Sequence, residues 1–582
     1  MFARLVLQTD KKRAKFDSCY TSEIRQNEPA NINFTKLRQW VQFCVKFHRG
    51  CKHSVVTPLK LINCKSRRVE RMQAHQPYCT LSYVWGSPVV EDAMDDGLLP
   101  QNLPEDAVED GLLAENLPAT IEDAIACTLA LNVNYLWVDR YCIDQQQHDE
   151  KAQEIGRMDE IYSGAIVGIF ATTGGDAHAG LAGFSVPRGT AICHVSKELL
   201  LQQHPREPET EIDTSRWAHR GWTYQELLLS TRRIFFTQAG VYFECQELCR
   251  TEGRHFTFDH TYGLGTQLGD RPVPKPTSPP ICRHIQAYTK RQLTHRSDSL
   301  KAMLEIFGHL QRAKTPVYHY WGIPIMMDEI SSSAMAGFVA GLCWAKALPF
   351  RAADGEDIVR RPAFPSWSWC GWGHAPYGVH YYFPGDKSYI FRHYILDVKV
   401  AETDDTYTWE SIWTSISTQN PTQTPSIHAD YDKEASPQLR LEGRVVRFQA
   451  RINTKANFVD VALVSPFPSK EEDWGFTEVL LDVRRDGLVT YTAVLLFKAA
   501  STPKRTQSAY WLITFLLLRE VHLPPDCQEP KESNAGETGP EISRCAKFER
   551  VGLMKVHCSR GNKRFKELGW HTQARREEII IC

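Results

Sequence analysis

Tyr78-Cys-Thr-Leu-Ser-Tyr-Val-Trp-Gly86 reads as a buried strand that ends on Ser82, Tyr83, Trp85 and Gly86. At the carboxyl edge of a parallel sheet, such an ending puts hydroxyls and backbone N–H groups where open α/β folds bind ligands. Working outward, Tyr135-Leu-Trp-Val-Asp139 is a second buried run that stops at an acid, and Ala165-Ile-Val-Gly-Ile-Phe-Ala171 is a third. Lys151 to Ala165 carries Ile155, Met158, Ile161 and Tyr162 on one helical face, a core stripe. Strand and helix patterns alternate from 78 to about 247, which predicts βαβ units in an α/β fold.

Arg220-Gly-Trp-Thr-Tyr-Gln-Glu226-Leu reads as a turn entering a helix, with Trp222 and Glu226 four apart on one face. An aromatic wall desolvates a carboxylate and shapes a place for a flat ring. The alternative is a core Trp222 with Glu226 paired to Arg220 or Arg232. Asp139, at its strand end, can hold a ribose hydroxyl or cap the next turn. The Gly-rich Thr172-Thr-Gly-Gly175 after the third strand matches neither the dinucleotide fingerprint nor the P-loop. Cys142 follows a strand with no histidine partner marked nearby, and no Gly-x-Ser-x-Gly elbow is present. Cys44-x3-His48-x2-Cys51, with His53 close by, resembles half a zinc site. No second pair stands out downstream, so a packed helix end is expected there and no metal ligand is assigned.

The chain has 582 residues, too many for one ordinary domain. Segment 1–74 reads as a helical and lead-in stretch, with Leu37, Trp40, Val41, Cys44 and Phe47 at helical spacing. The α/β domain spans 75–260, a linker and helical segment 261–310, and a β-rich α+β region 311–582 with flexible loops near 415–438 and 523–543. Glu91–Pro104 is nearly repeated as Glu105–Pro118, a lengthened acidic loop. Trp367, Trp369 and Trp372 are expected to close a β-rich core. Lys+Arg number 68 and Asp+Glu 69, a balance that argues against a global nucleic-acid binder. The 17 scattered cysteines and the short apolar run at the start point to reduced thiols in the cytoplasm. The longest apolar run, Tyr510–Leu518, is too short to cross a bilayer, so no transmembrane segment is expected.

Taken in order, Leu81-Ser-Tyr-Val-Trp-Gly86, Leu117-Pro-Ala-Thr-Ile-Glu-Asp-Ala-Ile125, Tyr135-Leu-Trp-Val-Asp139 with Cys142-Ile-Asp-Gln145, Met158-x-x-Ile-Tyr162 and Arg220-x-Trp-Thr-x-Gln-Glu226 resemble the fungal HET-domain (heterokaryon incompatibility) family. Pro365-Ser-Trp-Ser-Trp369 and Arg550-Val-Gly-Leu553 resemble segments of its longer members. The resemblance implies nonself recognition and regulated cell death, self-association through the domain, and an incompatibility partner protein. The HET domain in turn resembles TIR domains, which implies a TIR/flavodoxin-like parallel sheet with flanking helices. Trp222-x3-Glu226-Leu227 resembles the TIR segment whose glutamate cleaves NAD.

On that resemblance Glu226 is the catalytic carboxylate of an NAD glycohydrolase. Ser82, Tyr83, Trp85, Gly86 and Asp139 line the sugar and phosphates, and Trp222 lies near the ring. NAD is then the substrate, and neither a cofactor nor a metal is required. The competing reading is a non-catalytic HET signalling module that oligomerises or recruits partners.

Overall fold

The computed structural model describes residues 3–7, 32–52, 55–86, 108–109, 111–144, 147–188, 192–194, 199–203 and 208–252 of a first compact unit, Met1–Ser278. Of the second, Pro279–Cys582, it describes 281–313, 316–326, 333–346, 360–373, 378–381, 389–402, 405–408, 438–453, 460–465, 477–481, 487–501, 510–521, 547–559 and 574–581. His53, residues 261–280 of the expected linker, the first copy of the acidic repeat and the expected loops near 415–438 and 523–543 lie outside these residues, apart from Gln438, which opens a strand.

Strands of the first unit are β1 (Ala3–Leu7), β2 (Lys60–Asn63), β3 (Arg68–Arg71), β4 (Tyr78–Ser82), β5 (Val108–Glu109), β6 (Leu112–Leu113), β7 (Tyr135–Trp137), β8 (Val167–Ala171), β9 (Ile192–His194), β10 (Leu199–Gln203), β11 (Arg232–Thr237), β12 (Gly240–Cys245) and β13 (Cys249–Thr251). Its helices are α1 (Phe34–Phe47), α2 (Ala119–Ala130), α3 (Asp139–Cys142), α4 (His148–Ile155), α5 (Met158–Gly164), α6 (Pro208–Asp213) and α7 (Trp222–Leu229). The expected Lys151–Ala165 helix is two helices, broken at Gly156-Arg157, where glycine weakens the run.

Four strands pair in parallel in the order β7-β4-β8-β11. Numbered along the chain, that is second, first, third, fourth, a doubly wound order. The sheet does not stay parallel as expected from sequence. Antiparallel strands extend it on both sides, β2-β3-β6-β5 beyond β7 and β12-β13 beyond β11. β2–β3, β5–β6, β11–β12 and β12–β13 are each joined by short turns, whereas the β7–β2 and β3–β6 pairings join residues far apart in the chain. β2 and β3, from the expected lead-in segment, belong to this same sheet.

All five residues of β4 are buried, as are all five of β8 and all six of β11. Such strands read as continuous apolar runs because both sheet faces are covered. Asp123 of α2 accepts bonds from Leu181 N–H (2.7 Å) and Ser185 O–H (2.5 Å), which ties the loop after β8 to the helix. α1 buries Leu37, Trp40, Val41 and Cys44, and Asn33 caps it by accepting from Lys36 N–H at 3.1 Å.

The second unit is β-rich, as expected. The strands Gln438–Asn453, Gly487–Ser501, Tyr510–Glu520, Lys547–Ser559 and Arg575–Ile581 pair in a ring, because the first also pairs with the second and the last. Trp367, Trp369 and Trp372 are buried in its core, and the indole N–H groups of Trp369 and Trp372 bond the Gly322 and Ser366 carbonyls at 2.7 and 2.8 Å. No helix among the described residues is long and apolar enough to cross a membrane.

Arg233 and Glu244 are cross-strand partners on β11 and β12, with side chains 1% and 6% exposed and 3.1 Å apart. Glu244→Ala leaves a buried guanidinium and is expected to cost about 3–5 kcal/mol in denaturant unfolding. Glu577→Ala, at the half-exposed Arg447 pair, is expected to cost no more than about 1 kcal/mol.

Candidate functional site

β4 lies between β7 and β8, and its last residue, Ser82, stands where the strand order reverses. That is the place where ligands bind in doubly wound sheets. α7 delivers Glu226 there. The Ser82 hydroxyl donates to Glu226 Oε2, and the Trp217 indole N–H donates to Ser82 Oγ at 2.7 Å. Ser82 is 1% exposed, Glu226 6% and Trp217 not at all. The Trp217 ring is fixed edge-on to Phe170 of β8, with centroids 5.4 Å apart. Tyr162 of α5, 1% exposed, acts on the Glu226 carboxyl through its hydroxyl, which favours the ionised form.

Burial pushes the Glu226 carboxyl up to about 7, and the negative charge of Asp139 pushes the same way. The Ser82 bond, the Arg220 charge and the Tyr162 hydroxyl pull against this without cancelling it. Arg232 bonds Cys44 Sγ and the carbonyls of Ile166 and Cys51, and Arg220 Nη1–H bonds the Tyr83 carbonyl at 3.0 Å. Asp139 is half-buried at the end of β7 and opens α3. Its Oδ1 accepts the adjacent Arg140 N–H at 2.7 Å within the first turn of α3, whose cap position is Val138. Its Oδ2 accepts the Trp85 indole N–H at 3.0 Å, and the Arg140 guanidinium lies 5.9 Å from the Trp85 ring. Burial raises Asp139 to about 6. Two acids with raised values therefore sit at adjoining strand ends, an arrangement common where proton or charge chemistry is done.

Tyr83 is buried, and its hydroxyl has no hydrogen-bond partner among the described residues. A buried orphan hydroxyl is costly in a closed core and useful beside a polar ligand. Gly86 has φ +101°, and a Cβ there would come within 3.0 Å of the Asp176 Cβ. Only glycine lets the β4 exit pass so close to the Gly-rich turn after β8.

The structure thus brings Ser82 and Glu226 into contact and joins Trp85 to Asp139. Trp222 is half-buried and packs against the large core that includes Tyr162 and Trp137. The indole bonded within the Ser82–Glu226 pair is instead Trp217, which the sequence reading passed over. Its signal was a second tryptophan five residues ahead of Trp222. Tyr162, read as core, is core. Cys142 is buried beneath β7, its thiol pushed up to about 12, and it accepts the Val138 N–H at 3.4 Å, a structural role.

These features define a doubly wound α/β domain with a desolvated carboxylate at its strand-order reversal. Residues 78–226 match the family model described as Heterokaryon incompatibility protein (HET). The match opens on the first residue of β4 and closes on Glu226, and it supports a HET domain in this chain. No curated protein and no solved structure matches the chain.

The folded value of about 7 lies above the ordinary 4.5, so between these the folded protein keeps a proton that the unfolded chain releases. Stability is therefore expected to fall as pH rises from about 4.5 to about 7 and to stay lowered above. Glu226→Gln removes this titration, so its advantage over wild type should grow to about 2–3 kcal/mol by pH 8, read from denaturant midpoints at several pH values.

Proposed function

We propose that this protein acts in heterokaryon-incompatibility-type nonself recognition and regulated cell death, and that its HET domain does so by cleaving the nicotinamide–ribose bond of NAD. One observation carries the reading: a buried carboxylate, held by Ser82, at the rim of the sheet where doubly wound domains take nucleotides. The bond to nicotinamide breaks with its electron pair going to the ring nitrogen, which leaves neutral. The ribose carbon becomes oxocarbenium-like, and an ionised carboxylate beside it stabilises that charge. Water then adds to the same carbon and loses a proton, giving ADP-ribose. Ser82 and Trp217 hold the carboxylate in place, and Tyr83 supplies a hydroxyl that a ribose or phosphate oxygen can engage. The TIR likeness of the domain belongs to this proposal and is supported by the second-first-third-fourth strand order.

A second reading has its own support. Glu226 and Ser82 are almost fully covered and bonded to each other, as expected of a structural pair in a domain that only recruits partners. In that case NAD is not consumed.

Purified full-length protein, assayed for NAD loss over a range of protein concentrations because self-association can gate activity, separates the two. Glu226→Gln is expected to lower kcat/KM by about 100-fold or more, the effect of removing a transition-state charge stabiliser. Because the carboxylate must be ionised, wild-type kcat/KM should rise with pH through about 7 and level off above. Equal NAD loss by wild type and variant rejects the catalytic assignment.

A further inference from the structure

Away from Glu226, a second cluster stands at the edge of the same sheet. α1 ends at Phe47, and Cys44, His48 and Cys51 lie on its last turn and the loop beyond. Cys245, almost 200 residues later in the chain, closes β12 beside them. One ligand atom from each of the four lies within 4.8 Å of every other. His48 Nδ1 is 3.3 Å from Cys245 Sγ and 3.9 Å from Cys51 Sγ. A tetrahedral zinc with ordinary Zn–S and Zn–N bonds requires sulfur–nitrogen edges of about 3.6 Å and sulfur–sulfur edges of about 3.8 Å. The two sulfur–nitrogen distances, 3.3 and 3.9 Å, bracket the first.

We infer that Cys44, His48 Nδ1, Cys51 and Cys245 form a structural zinc site that staples α1 to the β11–β12 hairpin. Three further features fit this assignment. All three cysteines are buried and none is in a disulfide, so their sulfurs are available as thiolates. Arg232, 2% exposed, donates Nε–H to Cys44 Sγ at 3.2 Å, while its other nitrogens bond the carbonyls of Ile166 (3.2 Å) and Cys51 (2.5 Å). A buried guanidinium asks for a negative partner. A zinc with three thiolates and one neutral imidazole carries one net negative charge, which Arg232 balances as an outer-sphere group. Arg232 is also the cross-strand partner of Cys245, so the hairpin register itself puts the cation beside the ligands. The ligand-bearing loops are pinned together without metal as well, since Gly50 N–H bonds Glu247 Oε1 at 2.7 Å, and Cys245 N–H bonds Leu248 O at 2.9 Å within the turn that carries Glu247.

Four protein ligands leave no open position, so the site is structural and does not activate water. The competing account is three buried thiols packed as small apolar groups beside a histidine. This inference does not rest on the NAD reading, and its test does not use NAD.

The full chain, purified without a polyhistidine tag or added metal, is expected to contain about one zinc per molecule by elemental analysis. After chelation the melting temperature should drop, and cobalt should restore it with the absorption of a tetrahedral thiolate site. Cys51→Ser and Cys245→Ser should lose at least nine-tenths of the zinc, whereas His48→Cys, which keeps four ligands, should retain it. Wild-type protein that holds no zinc, takes up neither zinc nor cobalt after chelation and shows no change in melting overturns the site, whatever the variants do. So does Cys245→Ser protein with its full zinc content.

Discussion

The first unit depends on what can be done with the end of a strand that is buried on every side. β4 has no exposed residue, so Ser82 must find its hydrogen-bond partners inside the protein. It finds them in the Trp217 indole and the Glu226 carboxylate. That short chain of bonds joins β4 to the turn before α7 and to α7 itself, and through the Trp217 ring to Phe170 on β8. A carboxylate held there is short of solvent and shares its region with Asp139, so its proton is held more tightly than usual. Desolvation is thus a consequence of where the sheet buries β4, and the chemical character of the site follows from it.

The same sheet solves a second electrostatic problem at its other end. Arg232 and Arg233 are adjacent on β11 and therefore point to opposite faces. Arg233 is neutralised by Glu244 directly across the hairpin. Arg232 faces Cys44 and the carbonyls of Cys51 and Ile166. Two buried cations in neighbouring positions thus meet different partners, a carboxylate on one face and a sulfur with two carbonyls on the other. The hairpin that adds β12 supplies Glu244, while α1, the loop after it and the lead into β8 supply the acceptors of Arg232.

Conflict between stability and use is visible around Glu226. A carboxyl with a raised proton affinity weakens the fold at neutral pH relative to an uncharged amide, and the Tyr83 hydroxyl stays unpaired in the interior. Local departures of this kind concentrate at functional positions, since packing alone would remove them. Among the described residues the Gln225 amide, the Thr80 hydroxyl and the Trp367 indole N–H are likewise buried without a partner, whereas Asp123 is satisfied by Leu181 and Ser185, and the tryptophans 369 and 372 of the second unit by carbonyls.

Local pattern determined much of this. Apolar runs gave β4, β7 and β8, helical spacing gave α1, and alternation gave the long strands of the second unit, because burial on one or both faces writes its period directly into the chain. The motif residues Ser82, Asp139 and Glu226 were also legible, since strand ends and helix starts mark them locally. The antiparallel additions to the sheet were not, because a hairpin strand and a crossover strand carry the same apolar signature. Nor could sequence choose Trp217 over Trp222 as the indole bonded to Ser82, or bring Cys245 to Cys44, His48 and Cys51. Those pairings join residues far apart in sequence, and strand order and hairpin register alone decide which of them meet.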